Sequence, residues 1–356
     1  NTVIYGLSQM RGKRSILADI KAEHGRKVFE DLVKSVDVII WNAPDSQIKR
    51  MGLDAENLRK LNPNALFCKL DCFSGVNRGV RTDYIGYDDL VQAATGIMLR
   101  FGGAMDRPEE HAHVGTIDVM CGFGGALAVA TALYQKYRFG RIGRGRTSLT
   151  ANSGLLQIPF AYDFRGRGLF DEPSGPEMNG NDELNRFYST ASGVYLLLSA
   201  YESDLPRFRN VEGLEDLPDV PVDERATYLA TAFQTMPAIE WVERLRTADI
   251  GVAICDNIDA LRAENTRDAD GTAGTENGSY SFSLYPDHPS GHEVIQLDPY
   301  AVRTVRSKVL ALSPSEKFGA STRSILKELG YADQAIETML KSGDLSVSWS
   351  DEYIPS

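Results

Sequence analysis

Asp118 stands at the head of an almost uncharged run, VMCGFGGALAVATALY, which closes in a burst of Gly and Arg, RFGRIGRGRTSL. A carboxylate at the start of an apolar helix has two uses. It can cap the helix by accepting hydrogen bonds from backbone N–H groups that the first turn leaves without partners. Alternatively, those amides and the helix dipole can hold it ionised in a partly desolvated cleft, where it is a covalent nucleophile. Gly115, Gly122, Gly124 and Gly125 serve either the approach of a bulky ligand to backbone or close helix packing, and do not choose between the two.

Basic residues gather at Arg11, Lys13 and Arg14 and again at Arg138, Arg141, Arg144 and Arg146. With a net charge of −11 over 356 residues, the chain is no general nucleic-acid binder, but such local clusters suit a small phosphorylated ligand. Cys68 and Cys72 have neither a second Cys pair nor a well-spaced His, and His111 and His113 alone make no metal site, so no metal is expected. The four cysteines read as reduced thiols of a cytoplasmic protein. CGFGG and GRIGRGR lack the strand, helix and distant acid of a dinucleotide loop.

The elements that must position these groups alternate. Val28, Phe29, Leu32, Val33 and Val36 share a helical face, DVIIW follows as a strand, DAENLRKLN is a helix halted by Pro63, and ALFCKL is the next strand. Strand, helix, strand predicts an α/β fold with a Rossmann-like parallel sheet and ligands beyond the carboxyl ends of its strands. A helix is expected from Tyr87 to Leu99, and a mostly buried one from Val119 to about Arg138, ended by Gly140. No apolar run is read as long enough to cross a bilayer. Residues 1–165 form the first part of a large domain, and 180–262 a smaller α+β middle domain with strands GVYLLLSAY and GVAICD and helices ERATYLATAFQTM and AIEWVERLRTA. Residues 263–290 read as a polar linker, and 291–356 as a C-terminal part returning to the large domain.

Six stretches in order, RGKRSILADIK, DVIIWNAPDSQIKRMGLDAENLRKLNPNALFCKL, GYDDLVQAATGIM, VGTIDVMCG, ALYQKYRFGRIGRGRTSL and PSEKFGASTRSILKELGY, resemble the successive motifs of the class III (CaiB/BaiF) CoA-transferase family. The resemblance implies an interlocked dimer, a large domain built from both chain ends, and exchange of CoA between an acyl-CoA thioester and a free carboxylate. It places the catalytic aspartate, which passes through anhydride and aspartyl-CoA thioester intermediates, at Asp118. It likewise implies CoA contacts at Ala18, Lys21, Asn42 and Arg50, and an aromatic near the acyl site at Tyr87. Position 43, usually Phe in the family, is Ala43, so that contact is altered or lost.

The family's first strand, first helix and an early nucleotide-contacting Arg precede the segment matching RGKRSI. Together with the missing initiator Met, this suggests a piece of a longer polypeptide, or a module fused or paired with a second one. A dimethylsulfoniopropionate CoA-transferase/lyase is a member built that way, which makes a CoA-transfer-coupled lyase the runner-up. Its cationic substrate calls for aromatic faces such as Trp41, Phe160, Tyr162 and Phe164, although core packing explains these equally. The α-methylacyl-CoA racemases of the same fold use a His in a GHD segment. Here the text is Gly86-Tyr87-Asp88, and a phenol is a poor general base near neutral pH. A non-catalytic partner module is the third alternative.

Overall fold

In the parallel part of the chain, short apolar strands alternate with helices, which gives an α/β chain. The computed structural model describes residues 4–75, 79–103, 115–167, 178–267, 282–298 and 312–350, with the single positions 77, 108, 175 and 302. Two units divide it: Asn1–Val36, Lys60–Pro63 and Asp256–Ser356 form unit 1, and Asp37–Arg59 with Asn64–Cys255 forms unit 2.

In chain order the elements begin with α1 (Ile4–Gln9), β1 (Leu17–Ala18), α2 (Glu23–Ser35), β2 (Val38–Trp41), α3 (Asp45–Arg50), α4 (Ala55–Leu61) and β3 (Leu66–Asp71). There follow α5 (Asp88–Thr95), α6 (Thr116–Phe139), β4 (Arg144–Ser148), α7 (Leu149–Leu156), β5 (Asn185–Ser189), β6 (Tyr195–Ser199), α8 (Leu205–Phe208), α9 (Val222–Phe233), α10 (Ala238–Thr247) and β7 (Gly251–Ile254). The last are α11 (Ile258–Asn265), β8 (Thr266–Arg267), β9 (Phe282–Tyr285), β10 (Val294–Leu297), α12 (Thr322–Glu328), α13 (Asp333–Ser342) and β11 (Leu345–Ser346).

Unit 1 joins the two ends of the sequence. Leu17 and Ala18 of β1 pair antiparallel with Ser346 and Leu345 of β11. Val28 of α2 is buried with Leu326, Ile336, Met339 and Leu345, and Leu32, one turn along, packs on the same cluster. The stretch read as a linker, 263–290, carries the end of α11, β8 and β9, and β9 pairs with both β8 and β10. Apolar side chains such as Phe282, which is buried, explain why those parts are ordered strand instead of linker. The rest, 268–281, lies outside the described residues.

In unit 2, β2, β3 and β4 form a parallel sheet in that order, with Ile40 opposite Cys68 and Cys68 opposite Gly145. Alternation along β3 sends Cys68 and Leu70 to one face and Phe67, Lys69 and Asp71 to the other. The glycines of α6 explain how closely that helix lies on the first face. A Cβ on Gly125 would meet Leu70 Cδ2 at 2.6 Å, and one on Gly145 would meet Ala128 Cβ and Cys68 Sγ at 3.2 Å.

Three expectations about helices need correction. Only Ile117, Cys121, Gly125 and Ala132 of α6 are buried, because a three-stranded sheet covers one stripe of a 24-residue helix. Val119, Phe123 and Leu127 on another face are exposed. The helix is also long and apolar enough, by length and composition, to cross a membrane, contrary to the reading that no such run exists. Its packing on β3 and β4 shows where one face of that apolarity is used. The helix expected over 87–99 ends at Thr95, because Gly96 turns left-handed at φ 87°.

Within the middle segment, β5, β6 and β7 form an antiparallel sheet; the strands read at GVYLLLSAY and GVAICD are β6 and β7, and β5 was not read from the sequence. Phe208, Leu229, Phe233, Trp241 and Leu245 pack against Leu196 and Leu198 of β6, and Trp241 Nε1 donates to the Phe233 carbonyl at 3.2 Å.

Candidate functional site around Asp118

Helix α6 opens at Gly115, whose φ of 64° and ψ of 52° is a left-handed conformation that glycine tolerates without a Cβ penalty. Asp118 is therefore the third helical residue and not the cap. Seven residues separate it from Gly125, which sits against Leu70 near the end of β3. At about 1.5 Å per residue, Asp118 lies roughly 10 Å farther on. That is past the carboxyl ends of the strands, where open parallel sheets place their ligands.

The capping role belongs to another residue. Asp88, buried at the start of α5, accepts the Asp118 backbone N–H at 2.7 Å through Oδ2 and the Gln92 side-chain amide through Oδ1. The Asp118 carboxylate is exposed, and among the described residues no group donates a hydrogen bond to it. Its pKa is raised from the ordinary 3.8, first by the burial of its surroundings and then by the charges of Asp88 and Asp89. The direction is opposite to the one expected from the helix start alone. Desolvation and the charges of Asp88 and Asp89 act against the helix dipole, which contributes about 0.3–1 kcal/mol. Like charge and desolvation outweigh the dipole.

Cys72 and Cys121 lie close enough to feel the Asp118 charge, and neither competes as nucleophile. Burial, then Asp118, pushes the Cys121 thiol up to about 11. Cys72 is raised first by burial, and its Sγ donates to the Gly86 carbonyl at 2.9 Å. Neutral thiols are inert at physiological pH. One turn beyond Asp118, a Cβ on Gly122 would meet nothing within 4 Å, so space is open beside the carboxylate. The glycines thus divide: Gly125 serves packing, Gly124 lies against Asn152 and Thr147, and Gly122 leaves room.

The other expected site residues fall in three places. Tyr87 precedes α5, next to Asp88, with its ring 72% exposed. Asn42 and Ala43 follow β2 directly, Asn42 exposed and Ala43 half-buried, and Arg50 is the exposed last residue of α3. In unit 1, half-buried Ala18 lines a groove of about 480 Å³ with Leu17, Asp344 and Trp349. Lys21 is exposed in the turn after β1, its N–H donating to Asp19 at 2.9 Å.

The β2–α3 segment is held by charges. Lys69 pairs with Asp45 and, at 2.9 Å, with Asp71; Arg146 pairs with Asp71 and, at 3.2 Å, with Asp45. Partial burial acts to raise the Asp45 pKa, but Lys69 and Arg146 outweigh it and leave it below the ordinary value. This network borders a cleft of about 580 Å³ lined also by Trp41, Ile48, Phe67 and Arg144. The basic clusters read as phosphate holders are thus partly committed. Besides Arg146, Arg11 is buried, paired with Asp298 at 3.3 Å and donating to the Leu297 carbonyl at 2.7 Å, and Arg14 pairs with Glu328 at 2.8 Å. Two of the aromatic faces named for a cation already carry guanidinium groups, with Arg100 4.4 Å from the Phe160 centroid and Arg167 4.9 Å from that of Tyr162.

Asp88, Gln92 and the Lys69–Asp71 pair escaped the sequence reading. Signals were present: adjacent acids open α5 in GYDDL, and Lys69 and Asp71, two apart, break one face of an otherwise apolar strand. His111 and His113 lie outside the described residues, and CGFGG lies inside α6, not between a strand and a helix. Among the described residues, no cluster of three or more His, Cys, Asp or Glu is arranged to hold a metal ion.

Residues 2–283 match the family model described as CoA-transferase family III. Over 345 residues, 97% of this chain and 41% of the relative, the sequence is 45% identical to the CoA-transferase/lyase DddD of Marinomonas sp. (strain MWYL1). Over 221 residues, 60% of this chain and 52% of the relative, it is 36% identical to the succinate–glutarate CoA-transferase of Agrobacterium fabrum (strain C58 / ATCC 33970). The chain thus spans about half the length of these relatives or less. A crystal structure of a CaiB/BaiF family protein from Brucella suis superposes with a TM-score of 0.71 at 21% identity, over 90% of this chain and 82% of that one.

Proposed function

Since this chain belongs to CoA-transferase family III, we propose that it moves CoA from an acyl-CoA thioester to a free carboxylic acid, with Asp118 carrying first the acyl group and then CoA. The observation that bears most weight is the Asp118 carboxylate itself: exposed, without a hydrogen-bond donor among the described residues, beside the open space at Gly122, and flanked by thiols that burial keeps protonated.

In this reading an Asp118 oxygen attacks the thioester carbonyl, the C–S bond breaks, and CoA leaves as a thiolate beside a mixed anhydride. The thiolate returns to the Asp118 carbonyl carbon, the anhydride C–O bond breaks, and the first acid departs as carboxylate, leaving an aspartyl-CoA thioester. An incoming carboxylate attacks that thioester and expels the thiolate, which then takes the new acyl group and restores Asp118. Each step exchanges one activated acyl species for another, so no external energy source is consumed. A raised Asp118 pKa makes the carboxylate a more basic nucleophile.

Ala18, Lys21, Asn42, Ala43 and Arg50 are each proposed to contact CoA, as the family resemblance implies, and Tyr87 is proposed to line the acyl site. Lys21 and Arg50 are exposed and, among the described residues, in no ion pair, so they remain available to phosphate oxygens. The partner is a second copy of the chain or a second family module, for which the exposed Val119, Phe123 and Leu127 of α6 offer an apolar face. A cytoplasmic location agrees with the buried, protonated thiols of Cys68 and Cys121.

The test is to incubate the protein with acyl-CoA donors, add hydroxylamine, and read the mass of the Asp118 peptide. A hydroxamate on Asp118, absent from Asp118→Ala, is expected; turnover that survives Asp118→Ala overturns the proposal. A second reading, a lyase step following CoA transfer, rests on the 45% identical relative, whose name carries both activities. An alkene in the product acyl chain supports it, and unchanged acid exchange opposes it.

A further inference from the structure

We infer that Asp88 is a positioning residue for the transfer reaction: its buried carboxylate fixes the backbone of the nucleophile and places a negative charge beside it, with Gln92 setting how much of that charge Asp118 experiences. The inference rests on Asp118 being the nucleophile.

Three observations carry it. Asp88 is only 5% exposed, a burial that ionised side chains rarely reach without partners. Its two oxygens are divided between two donors, Oδ2 to the Asp118 N–H at 2.7 Å and Oδ1 to the Gln92 amide. Gln92 is fully buried, its amide nitrogen is committed to Asp88, and among the described residues its Oε1 has no hydrogen-bond partner. A carboxylate is not required merely to cap α6, since a Ser or Asn at that point would accept the same N–H. What a carboxylate adds is charge, and that charge helps raise the Asp118 pKa, after desolvation.

Other charges around Asp118 do not replace it. Asp89 on α5 acts in the same direction but is exposed, where solvent screens it. Cys72 after β3 and Cys121 on α6 stay protonated. Lys69 and Asp71 on β3 are paired with each other, and Arg146 on β4 with Asp71 and Asp45; Arg144 on β4 is exposed. α7 carries no titratable side chain.

The experiment is the pH profile of acyl-enzyme trapping at Asp118 in wild type, Asp88→Asn and Gln92→Met. Asp88→Asn keeps an acceptor for the Asp118 N–H and removes the charge. Its acid limb should move to lower pH by about half a unit or more, with KM for acyl-CoA unchanged within about twofold. Gln92→Met keeps the side-chain volume but frees the Asp88 charge from its amide partner, so its limb should move to higher pH. This opposite shift decides the matter even where Asp88→Asn folds poorly. A profile that superimposes on wild type in both variants, whatever the loss of rate, overturns the inference and reduces Asp88 to a helix cap. Failure of the wild-type protein to trap any acyl group on Asp118 removes instead the nucleophile reading on which it rests.

Discussion

Exchanging each of two α6 glycines for alanine separates packing from ligand access. At Gly125 a new Cβ would stand 2.6 Å from Leu70 Cδ2, far inside van der Waals contact, with the Cys68 thiol also donating to the Gly125 carbonyl at 3.8 Å. Overpacking of that kind costs about 1–3 kcal/mol. Alanine in a helix interior gains about 1 kcal/mol over glycine. Leu70 can swing its end methyl, so Gly125→Ala should lose about 1 kcal/mol net. At Gly122 the new methyl meets nothing, and only the gain of about 1 kcal/mol remains. The two variants should therefore differ by about 2 kcal/mol in urea-unfolding free energy. Their activities should order the other way: Gly122→Ala, the more stable protein, narrows the space one turn from Asp118 and slows acyl trapping, whereas Gly125→Ala traps at close to the wild-type rate. Equal stabilities, or a Gly122→Ala protein that unfolds earlier and traps at full rate, would refute the assignment of the two glycines.

Lys69→Met leaves buried Asp71 with Arg146 and the Ser74 hydroxyl and cuts one of two ties on Asp45; a stability loss of about 3 kcal/mol is expected from denaturant titration. Asp118 has a folded pKa above its unfolded value, so its ionisation opposes folding once the pH exceeds that unfolded value. Asp118→Asn should unfold later than wild type at pH 7, and the gap should close as the pH falls below about 3.8; a gap that persists at pH 3 would contradict the raised pKa. With iodoacetamide at pH 8, exposed Cys255 should be alkylated first, while buried Cys121, its thiol pushed up to about 11, stays unmodified until the protein unfolds. Peptide mass mapping over time reads both.

Much of the fold was legible because it rests on local patterns. Val28 and Leu32 one turn apart, the apolar runs VIIW and LFCKL, the stop at Gly140 and the proline-started helices α9 and α10 are all written in consecutive residues. The site was legible as an acid before an apolar helix, and six ordered stretches supplied its chemistry. The reading of α6 as mostly buried went astray for a physical reason: an uncharged helix announces that it needs a covering, but not whether its own chain provides it. Here β3 and β4 cover one stripe, and Val119, Phe123 and Leu127 stay exposed.

The sequence by itself determined that an ionisable oxygen pair would stand at the head of a long apolar helix following a parallel strand–helix alternation, since both follow from residue type and spacing. Tertiary structure alone decided which acid does what. Asp88 and Asp118 are thirty positions apart, and nothing local indicates that one would take the other's N–H and leave it without donors. A pKa depends on distances, burial and neighbouring charge, all of which arise only when α5 is laid against α6. For the same reason Arg11 and Arg146, which look free on the page, are committed to Asp298 and Asp71. Charge is a property of the residue, but its availability depends on what the fold brings beside it.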